Sequence, residues 1–325
     1  MNHSAIVAQQ LEFLLFDVVP MRMETAQVGP KLFESQEISK IPIKEYVALV
    51  NADSREVLSV VSDNYKIIPN RQAIQKGKEA FNKLFPIVKE DDFIPYKIFS
   101  SKKRTFCHID FIHQNYKFDV WEQETWLPFM RITNSYNKQY ALSYDIGFVR
   151  KLCSNGVIFV KKTFTVKVYH KKGNEIKIHS NIDKYKDLEA SFKSALLNLR
   201  RFHLPSKYAF PILCKALEIK YKEVPKDKTE SAFAFGIENA RKETTALVAK
   251  YDQTDFKESA YAIFNVISDA ISNQPVNRPW LPNYTVSTHR YYSRLSDWMT
   301  DYVEQAEKRD FNIEKYLGDY LQFNN

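Results

Sequence analysis

Seven glycines in 325 residues are too few for the phosphate-cradling loops that nucleotide-dependent enzymes build from glycine. No G-x-x-x-x-G-K-[ST] and no G-x-G-x-x-G occurs, which sets aside a P-loop ATPase and a standard dinucleotide binder. The three cysteines, Cys107, Cys153 and Cys214, lie far apart; they form no disulfide framework and offer no C-x-x-C pair for zinc. H-E-x-x-H, an Asp-rich calcium loop and a nucleophile elbow are all missing, so neither a metal nor a cofactor is expected. No run approaches the roughly 20 apolar residues of a membrane span. The opening "MNHSAIVAQQLEFLLFDVVPMRME" lacks a basic n-region and a small-residue cleavage site. The expectation is a soluble chain in a reducing cytoplasm, with no membrane partner.

What is present is core-forming material, 44% hydrophobic and 14% aromatic, far from the composition of a disordered chain. Lys and Arg outnumber Asp and Glu by 47 to 39, giving +8 and a pI near 9.1. That balance suits a polyanionic partner or simply solubility, and the distribution of the charges has to decide.

Residues 1–40 show no clean period and read as a peripheral segment or arm. From Ile41, "KEYVALVNADSREVLSVVSDNYKIIP" has two β-branched runs around "NADSRE", the pattern of a hairpin. "NRQAIQKGKEAFNKLF" places Ile74, Lys78, Phe81 and Phe85 at helical spacing, with Asn70 as the cap. "RTFCHIDFIHQNYKFDVW" alternates as a strand, with Phe106, His108, Asp110 and Ile112 on one face and Cys107, Ile109, Phe111 and His113 on the other. "TWLPFMRITNSYNKQYALSYDIG" reads as two strands around "NSYNKQ", and "GVIFVKKTFTVKVYHKKGNEIKIH" alternates and turns at "KKGNE". After Ser180 the period becomes helical. Leu188, Phe192, Ala195, Leu196 and Leu199 form one stripe with Asp183 as its cap, and further helices are expected near 206–220, 229–252, 255–273 and 287–308. The last carries Tyr291, Leu295, Trp298 and Tyr302 in line. Between the last two, "NQPVNRPWLPNYTVS" reads as a loop. The fold class is therefore α+β: a mainly antiparallel β-sheet in the N-terminal half with flanking helices, and a helical C-terminal half. The expected domains are a β-rich α+β domain over 1–182 and a mainly helical region over 183–325 packed on it.

Candidate chemistry is sparse. Cys153 has apolar neighbours and no local His, so a small hydrophobe packing a turn fits it better than a nucleophile. Arg150 either braces the Asn155-Gly156 turn through an ion pair or grips an anion. His108 and Asp110 point the same way on a strand, as a His-carboxylate pair or as part of a solvated sheet face. The basic residues do cluster. Residues 161–179 hold six lysines, among them Lys161, Lys162, Lys167, Lys171 and Lys172, against Glu175 alone, with Phe164 and Tyr169 interleaved. Lys102, Lys103 and Arg104 precede the strand with His108, and Arg200 and Arg201 follow in a helix. Together they read as a candidate nucleic-acid-binding groove with aromatic side chains for stacking; the alternative is that they keep the molecule dissolved and guard sheet edges.

Three blocks carry a resemblance: "VSDNYKIIPNRQAI" (61–74), "ITNSYNKQYA" with "RKLCSNGV" (132–157), and "SAYAIFNVISDAIS" (259–272). They are similar to the signature blocks of a phage- and plasmid-borne family, the domain of unknown function numbered 932, in the same order over about 55–300. The resemblance marks Ser62 and Tyr65, then Asn134, Ser135 and Asn137, then Arg150, Cys153, Asn155 and Gly156, and finally Asn265. One departure stands out: the family's frequent H-D-G turn is Tyr136-Asn137-Lys138 here. The resemblance implies a setting in mobile-element biology inside a bacterial host cell rather than a reaction. The leading expectation is a non-enzymatic DNA-associated protein, a single-strand binder or annealing factor. The alternative is a factor that engages a host, phage or defence protein through aromatics around Trp280, Tyr284, Tyr291 and Tyr292; an oligomer is also open. An enzyme with a cysteine or His-Asp site is the least supported reading, because no constellation has the spacing such chemistry asks for, and no catalytic residue is assigned.

Overall fold

The structure is a computed structural model and describes residues 3–28, 38–122, 124–150, 156–157, 165–174, 187–219, 241–249, 257–272 and 284–324. Antiparallel sheets occupy the N-terminal half and helices the C-terminal half, so the fold is α+β. The chain divides into two compact units, each assembled from three stretches. Unit 1 comprises 1–114, 129–145 and 165–183, and unit 2 comprises 115–128, 146–164 and 184–325.

Unit 1 begins with helix α1 (His3–Glu12) and strand β1 (Val18–Val28). The expected N-terminal arm is thus regular structure. β1 pairs antiparallel with β2 (Ile38–Asn51), and Val7, Leu14, Phe16 and Val18 are buried. The period was unreadable because the ribbon is broken by a register shift at Arg22/Met23 and presents Met21 and Arg22 to solvent. β3 (Val57–Ser62) completes a three-stranded sheet in the order β1-β2-β3, and the "NADSRE" hairpin forms where expected. Asn51 closes that turn, its Oδ1 accepting from the amides of Asp53 at 2.9 Å and Ser54 at 3.1 Å.

Helix α2 (Asn70–Leu84) lies where its period placed it and buries Phe81 and Phe85 as expected, but the rest of its buried face is Asn70, Ala73, Gly77 and Ala80. Ile74 and Lys78 are only partly buried. A Cβ on Gly77 would stand 2.7 Å from Ile132 Cδ1, 3.0 Å from Tyr144 Cε1 and 3.2 Å from Met130 Sδ. The sheet already supplies the bulk, so the helix face against it must be small. Nor does Asn70 cap the helix. Pro69 holds that position, and the Asn70 side chain is engaged elsewhere.

The second sheet of unit 1 has strands β4 (Phe93–Ser100), β5 (Phe106–His113), β7 (Thr125–Ser135), β8 (Leu142–Arg150) and β10 (Thr165–Val168), in the order β10-β8-β7-β5-β4. β7 and β8 supply residues to both units. Every residue of β5 is buried, and its two faces are those expected. The face carrying His108 and Asp110 is therefore not solvated. Asp110 accepts both nitrogens of Arg131, Nε at 2.6 Å and Nη2 at 2.8 Å, while His108 Nδ1 bonds Thr133 Oγ1 at 2.8 Å. In place of the two alternatives read from the sequence, a His-carboxylate pair or a solvated face, the strand makes two directly opposed cross-strand pairs, Asp110 with Arg131 and His108 with Thr133.

In unit 2, β6 (Phe118–Asp119) pairs with the start of β7, and β9 (Gly156–Val157) pairs with the end of β8. Helix α3 (Leu188–Arg201) turns Leu188, Phe192, Leu196 and Leu199 inward, and the Phe192 ring meets Phe118, Trp126 and Phe148. α4 (Ala209–Ala216), a helical stretch α5 at 241–249, α6 (Ala260–Ser272), α7 (Tyr284–Ala306) and α8 (Ile313–Leu317) follow. Tyr291, Leu295, Trp298 and Tyr302 of α7 are buried, as their spacing predicts. That helix starts at Tyr284, so the end of the expected proline-rich loop is helical. Among the described residues, no helix is long and apolar enough to cross a membrane.

Candidate functional site

The residues marked by the resemblance divide between the units, and in unit 1 they form a buried polar lattice. β3 ends at Ser62, whose carbonyl accepts from the Tyr65 amide at 2.9 Å, and this turn sends the Tyr65 ring inward. The Tyr65 hydroxyl donates to Ser135 O at 2.7 Å. Ser135 Oγ donates to Tyr140 O at 2.7 Å and accepts from the Tyr140 amide at 3.1 Å, closing the turn after β7. Asn134 Nδ2 donates to Ile68 O and to Asn70 Oδ1, both at 2.8 Å. Asn70 passes the connection on, with Nδ2 donating to Leu14 O at 2.9 Å and its amide to the Tyr136 hydroxyl at 3.1 Å. Asn137 Oδ1 accepts from the Gln139 amide, and its Nδ2 donates to Thr105 Oγ1, each at 3.1 Å. Desolvation raises the pKa of the Tyr65 and Tyr136 hydroxyls, so both stay protonated, Tyr65 as a donor to Ser135 O and Tyr136 as the acceptor of the Asn70 amide. It also pushes the Cys107 thiol up to about 12, despite lowering contributions from the Asn134 backbone and the Asn70 side chain. Cys107 is inert filler at pH 7.

The lattice fixes three turns that line a pocket of about 560 Å³: Ser62, Asn64 and Tyr65 from the first, Lys138 to Ala141 from the second, and Tyr169, His170 and Lys171 from the third. Tyr65 stacks on His170, centroids 4.9 Å apart and planes within 4°. His170 Nδ1 lies 3.0 Å from Lys66 O; a carbonyl only accepts, so Nδ1 carries the proton. Burial lowers the His170 pKa, with the Lys66 carbonyl opposing, and the ring is neutral at pH 7. Lys138 and Lys171 are exposed at this pocket, and none of its lining residues is a carboxylate. Lys138 has φ +62°, the left-handed region that glycine favours.

Of the cations singled out in the sequence, Lys171 lines this pocket and Lys172 is its exposed neighbour. Lys167 is exposed on β10, and Lys102 and Lys103 are exposed in the β4–β5 turn. Arg104 is engaged: it lies over the Phe16 ring, 3.4 Å from Phe13 O and 3.7 Å from Glu56. Arg200 and Arg201 end α3 in unit 2, with Arg200 over Trp121. Lys161, Lys162, Cys153 and Asn155 lie outside the described residues. Lys138 and Tyr140 were missed. The one available signal was the departure from H-D-G, a lysine where that pattern has glycine.

In unit 2 one marked residue, Arg150, pairs with Glu124, a carboxylate that no pattern announced. Glu124 is 1% exposed and accepts from Trp126 Nε1 at 2.9 Å, from Arg150 Nη2 at 2.5 Å and from the Tyr261 hydroxyl. Asn265 Nδ2 donates to Tyr261 O at 3.0 Å, and Gly156 pairs with Val149. Arg150 forms an ion pair with Glu124. Burial, reinforced by the Glu124 charge, holds the Tyr261 hydroxyl pKa far up. Of the aromatics proposed as a C-terminal surface, Tyr291 and Tyr292 are buried, and Trp280 lies outside the described residues.

No curated protein and no solved structure matches the chain. A family model does, the one described as "Domain of unknown function (DUF932)", over residues 57–291. That span takes in the pocket, the lattice beneath it and the Glu124 cluster, and the chain belongs to the DUF932 family.

Proposed function

We propose that the chain is a non-enzymatic protein that associates with single-stranded nucleic acid through the unit 1 pocket. The observation that supports this is the make-up of the pocket: Lys138 and Lys171, the rings of Tyr65, Tyr140, Tyr169 and His170, and no carboxylate. Ammonium groups attract phosphates and aromatic faces accept unpaired bases. A role in DNA strand binding or annealing, in a phage or plasmid, is the form of this reading that the family resemblance favours. Filter binding of an oligo-dT strand at 50 and 200 mM salt tests it. If the two lysines neutralise two phosphates, affinity falls about sevenfold between those conditions. Lys138→Gly and Lys171→Ala each weaken binding and flatten the salt dependence. Undetectable binding at low salt ends the reading.

A second reading, a factor that engages a host or defence protein, is favoured by a different surface. Val60, Ala48 and Met21 are directly paired across β3, β2 and β1, and Val60 and Met21 are about half exposed, beside exposed Tyr46 and Val57. Exposed apolar rows of this kind mark interaction surfaces. A partner retained from host lysate after nuclease treatment, and lost with Val60→Lys, supports it.

A further inference from the structure

We propose that the unit 1 pocket takes one unpaired nucleotide as a unit, its phosphate between Lys138 and Lys171 and its base on the ring of Tyr169. This rests on the nucleic-acid reading and narrows it to a substrate class.

Size sets the first limit. A pocket of about 560 Å³, open to solvent, has the size of a site for one small molecule. The walls are already shaped, because the three turns that form them are held by the Tyr65–Ser135, Ser135–Tyr140 and Tyr65–Lys171 pairings. Tyr140 meets Phe106 and His108 edge-on, at 5.3 and 5.2 Å, which fixes its ring. Tyr65 and His170 each spend one face on the other. Tyr169 differs. Its carbonyl is clamped by the Lys171 amide at 2.8 Å and Asn174 Nδ2 at 3.1 Å, while the residue is 69% exposed. A rigid backbone carrying an open ring is a stacking platform that needs little ordering on binding.

Charge and polarity then narrow the ligand. Without a carboxylate the pocket disfavours a cation, and two lysines favour a phosphate. Asn64, Gln139 and Ser62 place amide and hydroxyl groups beside the rings, the kind that reads a base edge. Because His170 Nδ1 donates to Lys66 O, Nε2 holds the lone pair; it is buried and has no hydrogen-bond partner among the described residues. An acidic peptide would use the lysines but leave the ring and the amides idle. A base inside a duplex is stacked and cannot reach Tyr169, so the strand must be single or the base turned out.

The test is titration calorimetry on the full chain with deoxythymidine monophosphate, inorganic phosphate, a 12-nucleotide oligo-dT and a 12-base-pair duplex. The inference expects the mononucleotide to bind, to bind more tightly than phosphate, and to compete with oligo-dT. Tyr169→Ala should weaken mononucleotide and oligo-dT about tenfold, with Tyr169→Phe retaining both. Tyr169 is exposed, so neither variant threatens folding. Oligo-dT that binds without competition from the mononucleotide, or equally well to Tyr169→Ala, overturns the single-nucleotide site and leaves the proposed function standing. A mononucleotide that binds where oligo-dT does not overturns the proposed function instead. Duplex bound as tightly as oligo-dT overturns the requirement for an unpaired base.

Discussion

Glu124 shows how a single buried charge is made tolerable. Its two oxygens meet an indole, a phenol and a guanidinium, so the desolvation cost of the carboxylate is met by three donors. Glu124→Gln keeps the volume but leaves Arg150 facing a neutral amide. Breaking such a pair from one side costs roughly 3–5 kcal/mol, whereas Glu124→Gln combined with Arg150→Met recovers part of the loss. Urea midpoints of the two singles and the double measure this, and strict additivity would mean that the pair is not coupled. Lys138 is the opposite case, a residue whose local conformation works against it. Non-glycine residues at its φ of +62° carry a penalty of roughly 1–2 kcal/mol, so Lys138→Gly is expected to leave the protein as stable or slightly more so while weakening anion binding. A melting temperature that drops with that change would place the lysine in the fold instead of in the pocket.

At the level of elements, period was readable wherever one face of a helix or strand is buried by large side chains. The α3 and α7 stripes and the two faces of β5 follow from spacing alone. The α2 stripe follows only at Phe81 and Phe85, because the rest of its buried face is made by Ala73, Gly77 and Ala80, and small residues give no hydrophobic signal. The same closeness makes Gly77 testable. Alanine would gain about 1 kcal/mol in helix propensity, yet its methyl group would press Ile132 and the ring of Tyr144, which is anchored by a 3.0 Å bond to Ala73 O. Overpacking costs roughly 1–3 kcal/mol, so it wins: Gly77→Ala should lower the melting temperature by a few degrees and Gly77→Val by much more. A rise on Gly77→Ala would show that Ile132 yields freely. The candidate site was half legible for a related reason. Lysines on the third turn stood out by number, whereas Lys138 and Glu124 are single polar residues beside turns, and nothing in spacing separates them from solvated ones.

For the whole molecule, the charge balance and the buried acids make opposite statements about alkaline pH. Net charge approaches zero near the pI of about 9.1, so self-repulsion is weakest there and does not by itself unfold the protein. Buried thiols do oppose the folded state. Desolvation pushes Cys107 and Cys214 each up to about 12 from an ordinary value of 9.0, and burial raises the Tyr65, Tyr136, Tyr144 and Tyr302 hydroxyls as well. A group whose pKa is raised in the folded state holds its proton there while the unfolded chain releases it. Its stabilising contribution is complete below about pH 9 and is lost as pH climbs towards 12, at about 1.4 kcal/mol per pH unit for each thiol. Urea midpoints measured from pH 8 to 11 should therefore fall, and should fall less steeply for the Cys107→Ala/Cys214→Ala chain. In a Cys153→Ser background at pH 8, iodoacetamide should label neither cysteine until urea is added, since the thiolate is the reactive form. Native labelling of Cys107, or equal pH slopes for the two chains, would mean that water reaches the polar lattice on which the pocket rests.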